Sequence, residues 1–479
     1  MRHRLGAWLA PAVFLLLLTL PLPGLTPAAH RLAAILGAVI VLWVTEALPL
    51  PVTALLGAAA CVVLGVAPAK EVFAPFADPL MFLFIGAFIL SRAIFLHGLD
   101  RRVAYSVLSL PWVGARPSRI LLAFGATTAL ISAWISNTAT TAMMFGIGLS
   151  ILAALRGHGD RPAIDPRYAT GLMLMTSFAA SVGGLATPVG TPPNLIGLGF
   201  IRSLLGVDIS FFRWCLIGVP VVVVLFAILY LYMNALSPAG TRELPGGAEL
   251  IRREREALGP WTRAQRSVAI AFCVTVTLWV VPGIVALVAG ERSAAYQALS
   301  RSLPDGVAAI AGAMLLFVLP GNGGRAITWD EAVKIDWGVV LLYGGGFALG
   351  VLSFQTGLAE AMGRGLTGLL PLHGSFGLLV ASVLVAVLLS ETTSNTASAN
   401  MVVPVVISVA RASGVDPLEP ALGATFAASL GFMLPVSTPC NAIVYGSGLI
   451  PLGRMIRYGA MLDVAGIVVI VALVRALAP

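Results

Sequence analysis

The chain has 479 residues, of which 58% are hydrophobic and only 10% are charged, and its formal net charge is +8. Soluble domains carry about 25% charged residues, so this composition excludes an ordinary soluble protein. Continuous apolar runs of about 20 residues recur along the chain and predict an all-α polytopic membrane protein. The basic residues lie in the loops between these runs, which indicates membrane orientation rather than nucleic-acid binding.

The apolar runs predict about 11 transmembrane helices and two re-entrant hairpins. Residues 1–30 contain an extra N-terminal helix, and residues 31–234 and 266–479 form two related halves. A polar segment, residues 235–265, separates the halves and is expected to be a cytoplasmic linker.

Four regions are too long for single spans. Regions 118–155 and 374–411 each carry a polar cluster in the middle, which predicts two half-helices that meet at a polar tip. Irregular backbone at membrane depth must be covered by protein or face a cavity. Regions 168–205 and 417–452 contain Thr-Pro breaks, and each predicts a helix broken midway because proline removes a helix donor.

The distribution of basic residues predicts the orientation. With the N-terminus in the cytoplasm and both polar-tipped regions folded as hairpins, about twice as many Lys and Arg lie in cytoplasmic as in external segments. The first hairpin then enters from the cytoplasm and the second from outside, and the C-terminus is external. Because one hairpin enters from each side, the two halves have opposite topology. The predicted location is a bacterial plasma membrane.

Short motifs recur in both halves. Ser-Asn-Thr occurs at residues 136–138 and again at residues 394–396, and Pro188-Val-Gly-Thr-Pro-Pro-Asn194 matches Pro435-Val-Ser-Thr-Pro-Cys-Asn441. Matches in the same order predict an internal duplication. Inverted repeats, broken helices and a binding site near the midplane are the recurring plan of secondary transporters.

The repeated residues indicate which ligands could bind. Hydroxyl, amide and free backbone carbonyl oxygens suit a weakly held hard cation such as sodium. Broken helices expose N-terminal N–H groups, which attract anions. Isolated Ser and Thr in membrane helices often serve only in packing, but duplicated clusters beside prolines indicate cotransport of sodium with an anion. Residues 120–155 and 374–410 contain no basic side chain, which favours sodium coupling.

Five stretches carry a resemblance to a known family: the two Ser-Asn-Thr motifs, TEALPLPVTALL (45–56), ATPVGTPPN (186–194) and PVSTPCN (435–441). From about residue 31 to its end the chain resembles the divalent anion/sodium symporter family, which includes sodium–dicarboxylate cotransporters. The resemblance implies a homodimer in lipid, in which each protomer has a scaffold domain and a transport domain that moves as an elevator. Sodium would be the coupling ion, and no organic cofactor is expected.

By matching position, the resemblance also implies two cation sites with an anion between them. The first sodium site would use Ser132, Ser136, Asn137 and the backbone at Gly190. The second would use Ser390, Ser394, Asn395 and the backbone at Ser437. The anion would touch Asn137, Thr138, Thr191, Pro192, Asn395, Thr396, Thr438 and Pro439. Ser390 stands where the family has Thr, and Ser437 stands where a small Ala or Gly is usual.

The predicted function is sodium-coupled symport of C4-dicarboxylates such as succinate, malate or fumarate. Sodium-independent dicarboxylate exchange and transport of sulfate or another divalent anion are the alternatives within transport. A channel or a membrane enzyme is disfavoured, since no GxSxG, Walker A or HExxH motif occurs. Two charged residues carry further expectations: Glu391 would hydrogen-bond hairpin backbone, and Arg92 would extend its side chain to the membrane interface.

Overall fold

The computed structural model describes residues 2–154, 165–243, 247–369 and 374–478. Within these ranges the chain is helical apart from its connections and an isolated β-bridge between Pro320 and Arg325. The all-α fold class is confirmed. Of the described helices, seven are long and apolar enough to cross a membrane, or eight if one bent pair counts as a span. Several others are shorter, so the figure of about 11 spans stays a prediction.

The first half follows an extra helix, α1 (Arg2–Thr19). Its helices are α2 (Pro27–Thr45), α3 (Leu50–Val63), α4 (Ala69–Phe73), α5 (Pro79–Leu96), α6 (Leu99–Leu108), α7 (Pro117–Ser132), α8 (Asn137–Ala154), α9 (Pro166–Gly183), α10 (Pro192–Phe200) and α11 (Phe211–Leu236). A 3-10 turn (Ala74–Ala77) precedes α5, and a π-helical turn (Ile201–Leu205) follows α10. The linker contains the amphipathic helix α12 (Gly247–Ala257).

The second half repeats this order once a peripheral helix, α14, is set aside. Its helices are α13 (Arg263–Ala289), α14 (Ala294–Ser302), α15 (Asp305–Val318), α16 (Trp329–Ala332), α17 (Trp337–Gln355), α18 (Leu358–Leu369), α19 (Gly374–Thr392), α20 (Asn395–Ala412), α21 (Leu418–Ala427), α22 (Pro439–Tyr445) and α23 (Leu452–Leu477). Helices α3 and α15 both have 14 residues, and α11 and α23 both have 26. Corresponding elements thus match in order and, at these positions, in length.

Two helix boundaries differ from the sequence-based expectation. Helix α2 begins at Pro27 rather than at residue 31, because the Thr26 side chain accepts a hydrogen bond from the Ala29 N–H and proline suits the first helical turn. The second broken helix ends at Tyr445 rather than at residue 452, because Gly448 has a positive φ of 72° and the chain leaves the helical conformation before α23.

The helices form two groups, and each group takes helices from both halves. One group contains α2, α3, α5, α13, α15 and α17, and the other contains α7 to α11 and α19 to α23. Two short amphipathic helices, α6 and α18, lie between the groups in the chain, where α6 packs on α7 and α12 and α18 packs on α20. The polar motifs all lie in the second group.

The first group is held together by two equivalent helix crossings. Helix α5 packs on α15, and its counterpart α17 packs on α3. A Cβ atom on Gly86 would lie 2.5 Å from the carbonyl carbon of Ala309, and one on Gly345 would lie 2.8 Å from that of Ala54. Since small residues let membrane helices approach closely, both crossings depend on glycine.

Gly86→Val and Gly345→Val should therefore each lower the melting temperature of the purified protein. The added side chain must push two backbones apart, and overpacking of this kind costs about 1–3 kcal/mol or more. Gly146→Val on α8 is the matched control, because no atom lies within 4 Å of its added Cβ. Thermal unfolding in detergent measures the difference. Equal melting temperatures for all three variants would contradict the assignment of the crossings.

Candidate binding site

A cavity of about 1140 Å³ brings both Ser-Asn-Thr motifs and both proline breaks together. The predicted residues on its wall are Ser136, Asn137, Thr138, Gly190, Thr191, Pro192, Ser394, Asn395, Thr396, Ser437, Thr438 and Pro439. The remaining two, Ser132 and Ser390, are fully buried and hydrogen-bond the wall residues Asn137 and Asn395. The structure therefore gathers every residue of the three predicted ligand sets, although they are separated by up to 307 residues in the chain (439 minus 132).

Four of the described helices begin at this cavity. Helices α8, α10, α20 and α22 start at Asn137, Pro192, Asn395 and Pro439, and all four residues lie on the wall. The first N–H groups of a helix have no partner within it and carry a partial positive charge. Side chains cap part of this set, since Ser394 accepts from the Ala397 N–H. The convergence makes this part of the cavity wall attractive to an anion through partial charges rather than through charged side chains.

The first half-site surrounds the amide group of Asn137. Ser132 Oγ lies 2.7 Å from the Asn137 amide, and the carbonyl oxygens of Gly190 and Ala180 lie 3.2 Å from the same amide atom. With the amide nitrogen in this position, its two N–H groups are shared among the three oxygens. With the amide oxygen there, four oxygen atoms converge with a single hydroxyl proton among them, and a cation would be needed to hold them.

The second half-site is built in the same way around Asn395. The Ser390 hydroxyl lies 2.8 Å from both Asn395 Oδ1 and the Ala428 carbonyl oxygen, and Asn395 Nδ2 donates to the Ser429 carbonyl at 3.2 Å. Both half-sites thus combine one buried serine, one asparagine and carbonyl oxygens from the end of a broken helix. The carbonyls of Ala180, Ala428 and Ser429 were not predicted. Every residue has a backbone carbonyl, so the residue type does not indicate which carbonyls lie at a site.

Two buried asparagines hydrogen-bond the backbone of the two helix breaks. Asn194 Nδ2 donates to the carbonyls of Gly184 and Thr187 at 2.9 and 2.8 Å. Its counterpart Asn441 Nδ2 donates to the carbonyls of Gly431 and Leu434 at 3.0 and 2.9 Å. These carbonyls lie in the nonhelical segments, where no helix donor can reach them. The sequence contained a signal for this role, since each asparagine ends a duplicated motif.

Glu391 departs from its expected role. Its carboxylate accepts from the Met433 backbone N–H and the Ser437 hydroxyl, both at 2.7 Å. These partners belong to the break between α21 and α22 rather than to the hairpin that carries Glu391. The Ser437 side chain is therefore occupied by Glu391, which leaves only its backbone for a cation, as the family resemblance implied.

Charged residues lie on the part of the cavity wall formed by the α2–α3 connection, α5 and the start of α17. Arg92, Glu46 and Lys334 line it there, and Arg92 pairs with Glu331 at 2.6 Å. Lys334 contacts the same Glu331 carboxylate at 2.5 Å. The ion pair holds the Arg92 guanidinium at the edge of the cavity, and the expectation that Arg92 extends to the membrane interface stays a prediction.

A family model described as the sodium:sulfate symporter transmembrane region matches residues 3–477. The chain belongs to this family. A sodium-dependent dicarboxylate transporter, SdcS of Staphylococcus saprophyticus, is 35% identical over 99% of this chain and 91% of that protein. SdcS of Staphylococcus aureus strain USA300 is 33% identical over 91% of this chain and 84% of that protein.

Solved structures show the same fold at low sequence identity. The YdaH transporter of Alcanivorax borkumensis aligns with a TM-score of 0.58 and 14% identity, over 99% of this chain and 98% of that one. MtrF of Neisseria gonorrhoeae aligns with a TM-score of 0.56 and 14% identity, over 88% and 85%. This member of the sodium:sulfate symporter family is thus an integral membrane transporter and not an enzyme, and the family resemblance of its motifs is confirmed.

Asn194→Ala and Asn441→Ala should both destabilise the transporter, and Asn441→Ala should do so more. Each variant strands one buried carbonyl, that of Gly184 or Gly431, at about 1–3 kcal/mol. The carbonyls of Thr187 and Leu434 keep a backbone donor, the N–H of Gly190 or Ser437. Asn441 Oδ1 also accepts from the Ser177 hydroxyl at 2.6 Å, whereas Asn194 Oδ1 has no partner among the described residues.

Melting temperatures in detergent measure this order. Asn234→Ala is the control, because Asn234 is exposed on α11. A loss for Asn194→Ala equal to or larger than that for Asn441→Ala would contradict the assigned contacts.

Proposed function

We propose that this protein is a sodium-coupled symporter of C4-dicarboxylates such as succinate, malate or fumarate. The observation that carries the proposal is the convergence of four helix N-termini and two asparagine-centred oxygen clusters on one cavity. The SdcS relatives are sodium-dependent dicarboxylate transporters, which agrees with this proposal.

The cavity supports an anionic substrate bound by neutral donors. Asn137, Thr138, Asn395 and Thr396 lie at the starts of α8 and α20, and Thr191 and Thr438 with the adjacent prolines lie at the starts of α10 and α22. Hydroxyl, amide and backbone N–H donors can all bind a carboxylate. Two equivalent sets of donors suit a molecule with two carboxylates better than one compact anion such as sulfate.

Two sodium ions would supply the positive charge that the inner wall lacks. The first would bind Ser132, Ser136, Asn137 and the Gly190 carbonyl, with the Ala180 carbonyl as an added ligand. The second would bind Ser390, Ser394, Asn395 and the Ser437 backbone. A cation among the oxygens would turn each asparagine oxygen toward itself, which frees the amide nitrogen to donate to the substrate. This sharing of one amide couples the cation to the anion.

The two helix groups support alternating access by an elevator movement. The group with α7 to α11 and α19 to α23 would form the transport domain, and the group with α2, α3, α5, α13, α15 and α17 would form the scaffold and the homodimer contact. With the N-terminus in the cytoplasm, the cavity edge lined by His3, Arg92 and Lys334 faces the cytoplasm. This conformation would then be the inward-facing one.

The proposal predicts uptake of labelled succinate into proteoliposomes that depends on an imposed inward sodium gradient. Potassium or choline should not replace sodium, and unlabelled malate or fumarate should compete more strongly than sulfate. Uptake that needs internal succinate but no sodium would instead identify an exchanger, and preferential uptake of sulfate would overturn the substrate assignment.

Asn137→Ala and Asn395→Ala should each reduce this uptake by at least about a hundredfold, because each removes an amide that serves both cation and substrate. Asn234→Ala, at an exposed position on α11, is the control and should transport normally. Size-exclusion profiles and melting temperatures check that the variants fold. Normal uptake by a folded Asn137→Ala or Asn395→Ala protein would refute the assigned site.

A further inference from the structure

A second buried carboxyl group lies behind the second half-site. Asp463 on α23 and Glu391 on α19 are each only 3% exposed, and the Asp463 carboxyl lies within hydrogen-bonding reach of the Glu391 carboxyl. Within the described residues, neither oxygen of Asp463 has a hydrogen bond of good geometry from any donor, although the Phe432 N–H faces it. Two ionised carboxylates in contact would repel strongly at such low dielectric, so the contact requires a proton between them.

Close packing fixes the position of Asp463. One turn before it, a Cβ on Gly459 would lie 2.5 Å from the Phe432 carbonyl carbon and 2.6 Å from the Met433 Cα. One turn after it, a Cβ on Gly466 would lie 2.5 Å from the Leu430 side chain. Helix α23 thus presses one face against the break between α21 and α22. The Asp463 carboxyl on that face is therefore buried between α23 and the helix break.

The groups that surround the pair supply no compensating cation. Tyr232 of α11 lies near Asp463, but its hydroxyl donates to the Tyr458 carbonyl. The Glu391 oxygens accept from the Met433 N–H and the Ser437 hydroxyl. Among the described residues, no Lys, Arg or His forms an ion pair with either carboxyl. A shared proton is therefore the means by which this pair is accommodated.

The first half lacks the pair. Helices α11 and α23 are equally long, and alignment of their ends matches Val222 with Asp463. The spacing of the Ser-Asn-Thr motifs likewise matches Ala133 with Glu391. The break in the first half closes without carboxyl groups, since the Thr187 hydroxyl donates to the Ala133 carbonyl. The repeated fold does not itself require two acids, which indicates that they serve the second half-site specifically.

We infer that Asp463 is a positioning residue for the second cation site. Its neutral carboxyl donates a hydrogen bond to the Glu391 carboxylate, and Glu391 in turn holds the Met433 N–H and the Ser437 hydroxyl. The backbone at Ser437 is thereby fixed where the second sodium would bind. This inference rests on the proposed sodium-coupled function, and it assigns Asp463 no direct contact with sodium or substrate.

The test compares variants that keep or remove the donor. Asp463→Asn and Asp463→Thr retain a neutral donor, whereas Asp463→Val has the shape of Thr without one and reproduces the residue of the first half. In proteoliposomes, Asp463→Val should raise the sodium concentration for half-maximal succinate uptake by at least about tenfold, as expected for loss of a hydrogen bond to a charged group. At saturating sodium its maximal rate should recover. Asp463→Asn should stay within about threefold of the wild-type value.

Val469→Ala, a truncation of a buried residue on the same helix, is the control for general loosening of α23 and should leave sodium dependence unchanged. A sodium dependence of Asp463→Val equal to that of the control would overturn the inference. So would an Asp463→Asn variant that loses sodium dependence, since this would mean that the ionised carboxylate itself binds a cation. If Asp463→Val does not fold, Asp463→Leu, which also lacks a donor, takes its place in both measurements.

A second measurement separates this inference from the proposed function. The rise in melting temperature with NaCl, relative to choline chloride, needs no substrate and should be kept by Asp463→Asn and reduced in Asp463→Val. Wild-type protein that NaCl stabilises but that shows no sodium-driven succinate uptake would refute the proposed function and leave the positioning role open to this assay. Equal stabilisation of all variants by NaCl would refute the positioning role.

Discussion

A helix that stops inside a membrane leaves backbone carbonyl and N–H groups without partners, and lipid offers none. The binding region of this protein consists of four such stops around one cavity. Asn194 and Asn441 each donate to two carbonyls of a helix break, and Asn137 and Asn395 lie against others. The polar residues that satisfy the helix breaks therefore lie beside the residues of the candidate binding site.

The two halves share one arrangement of broken helices and asparagines, but corresponding side chains differ in their hydrogen bonds. Asn441 accepts a hydrogen bond from Ser177, whereas the equivalent oxygen of Asn194 has no partner among the described residues. Ser437 is held by Glu391, whereas its counterpart Gly190 has no side chain to hold. Two cation sites built on these halves would share ligand types but differ in stiffness. Unequal sites suit a transporter that must load and release its ions in sequence.

Formal charge is kept to the edge of the cavity. Arg92 and Lys334 share the carboxylate of Glu331, so the positive charge there is partly neutralised before any ligand arrives. Farther in, helix N-termini and neutral side chains line the wall. The partial charges of such a site stabilise a bound anion, but they compensate only part of its negative charge. The remaining charge is costly to bury in a low dielectric. Co-bound cations are the means by which a neutral wall can accept a dianion.

The sequence by itself determined the membrane class, the duplication, the positions of the helix interruptions and the residues of the candidate site. It could do so because apolar runs report spans, prolines report breaks, and Ser136 to Thr138 and Ser394 to Thr396 are identical in type. The backbone ligands, the ion pair of Arg92 and the contact between Glu391 and Asp463 were decided only by the tertiary structure. Asp463 lies 72 residues beyond Glu391 (463 minus 391) in an otherwise apolar helix. No local pattern connects them, because their contact depends on how closely α23 packs against a neighbouring helix break.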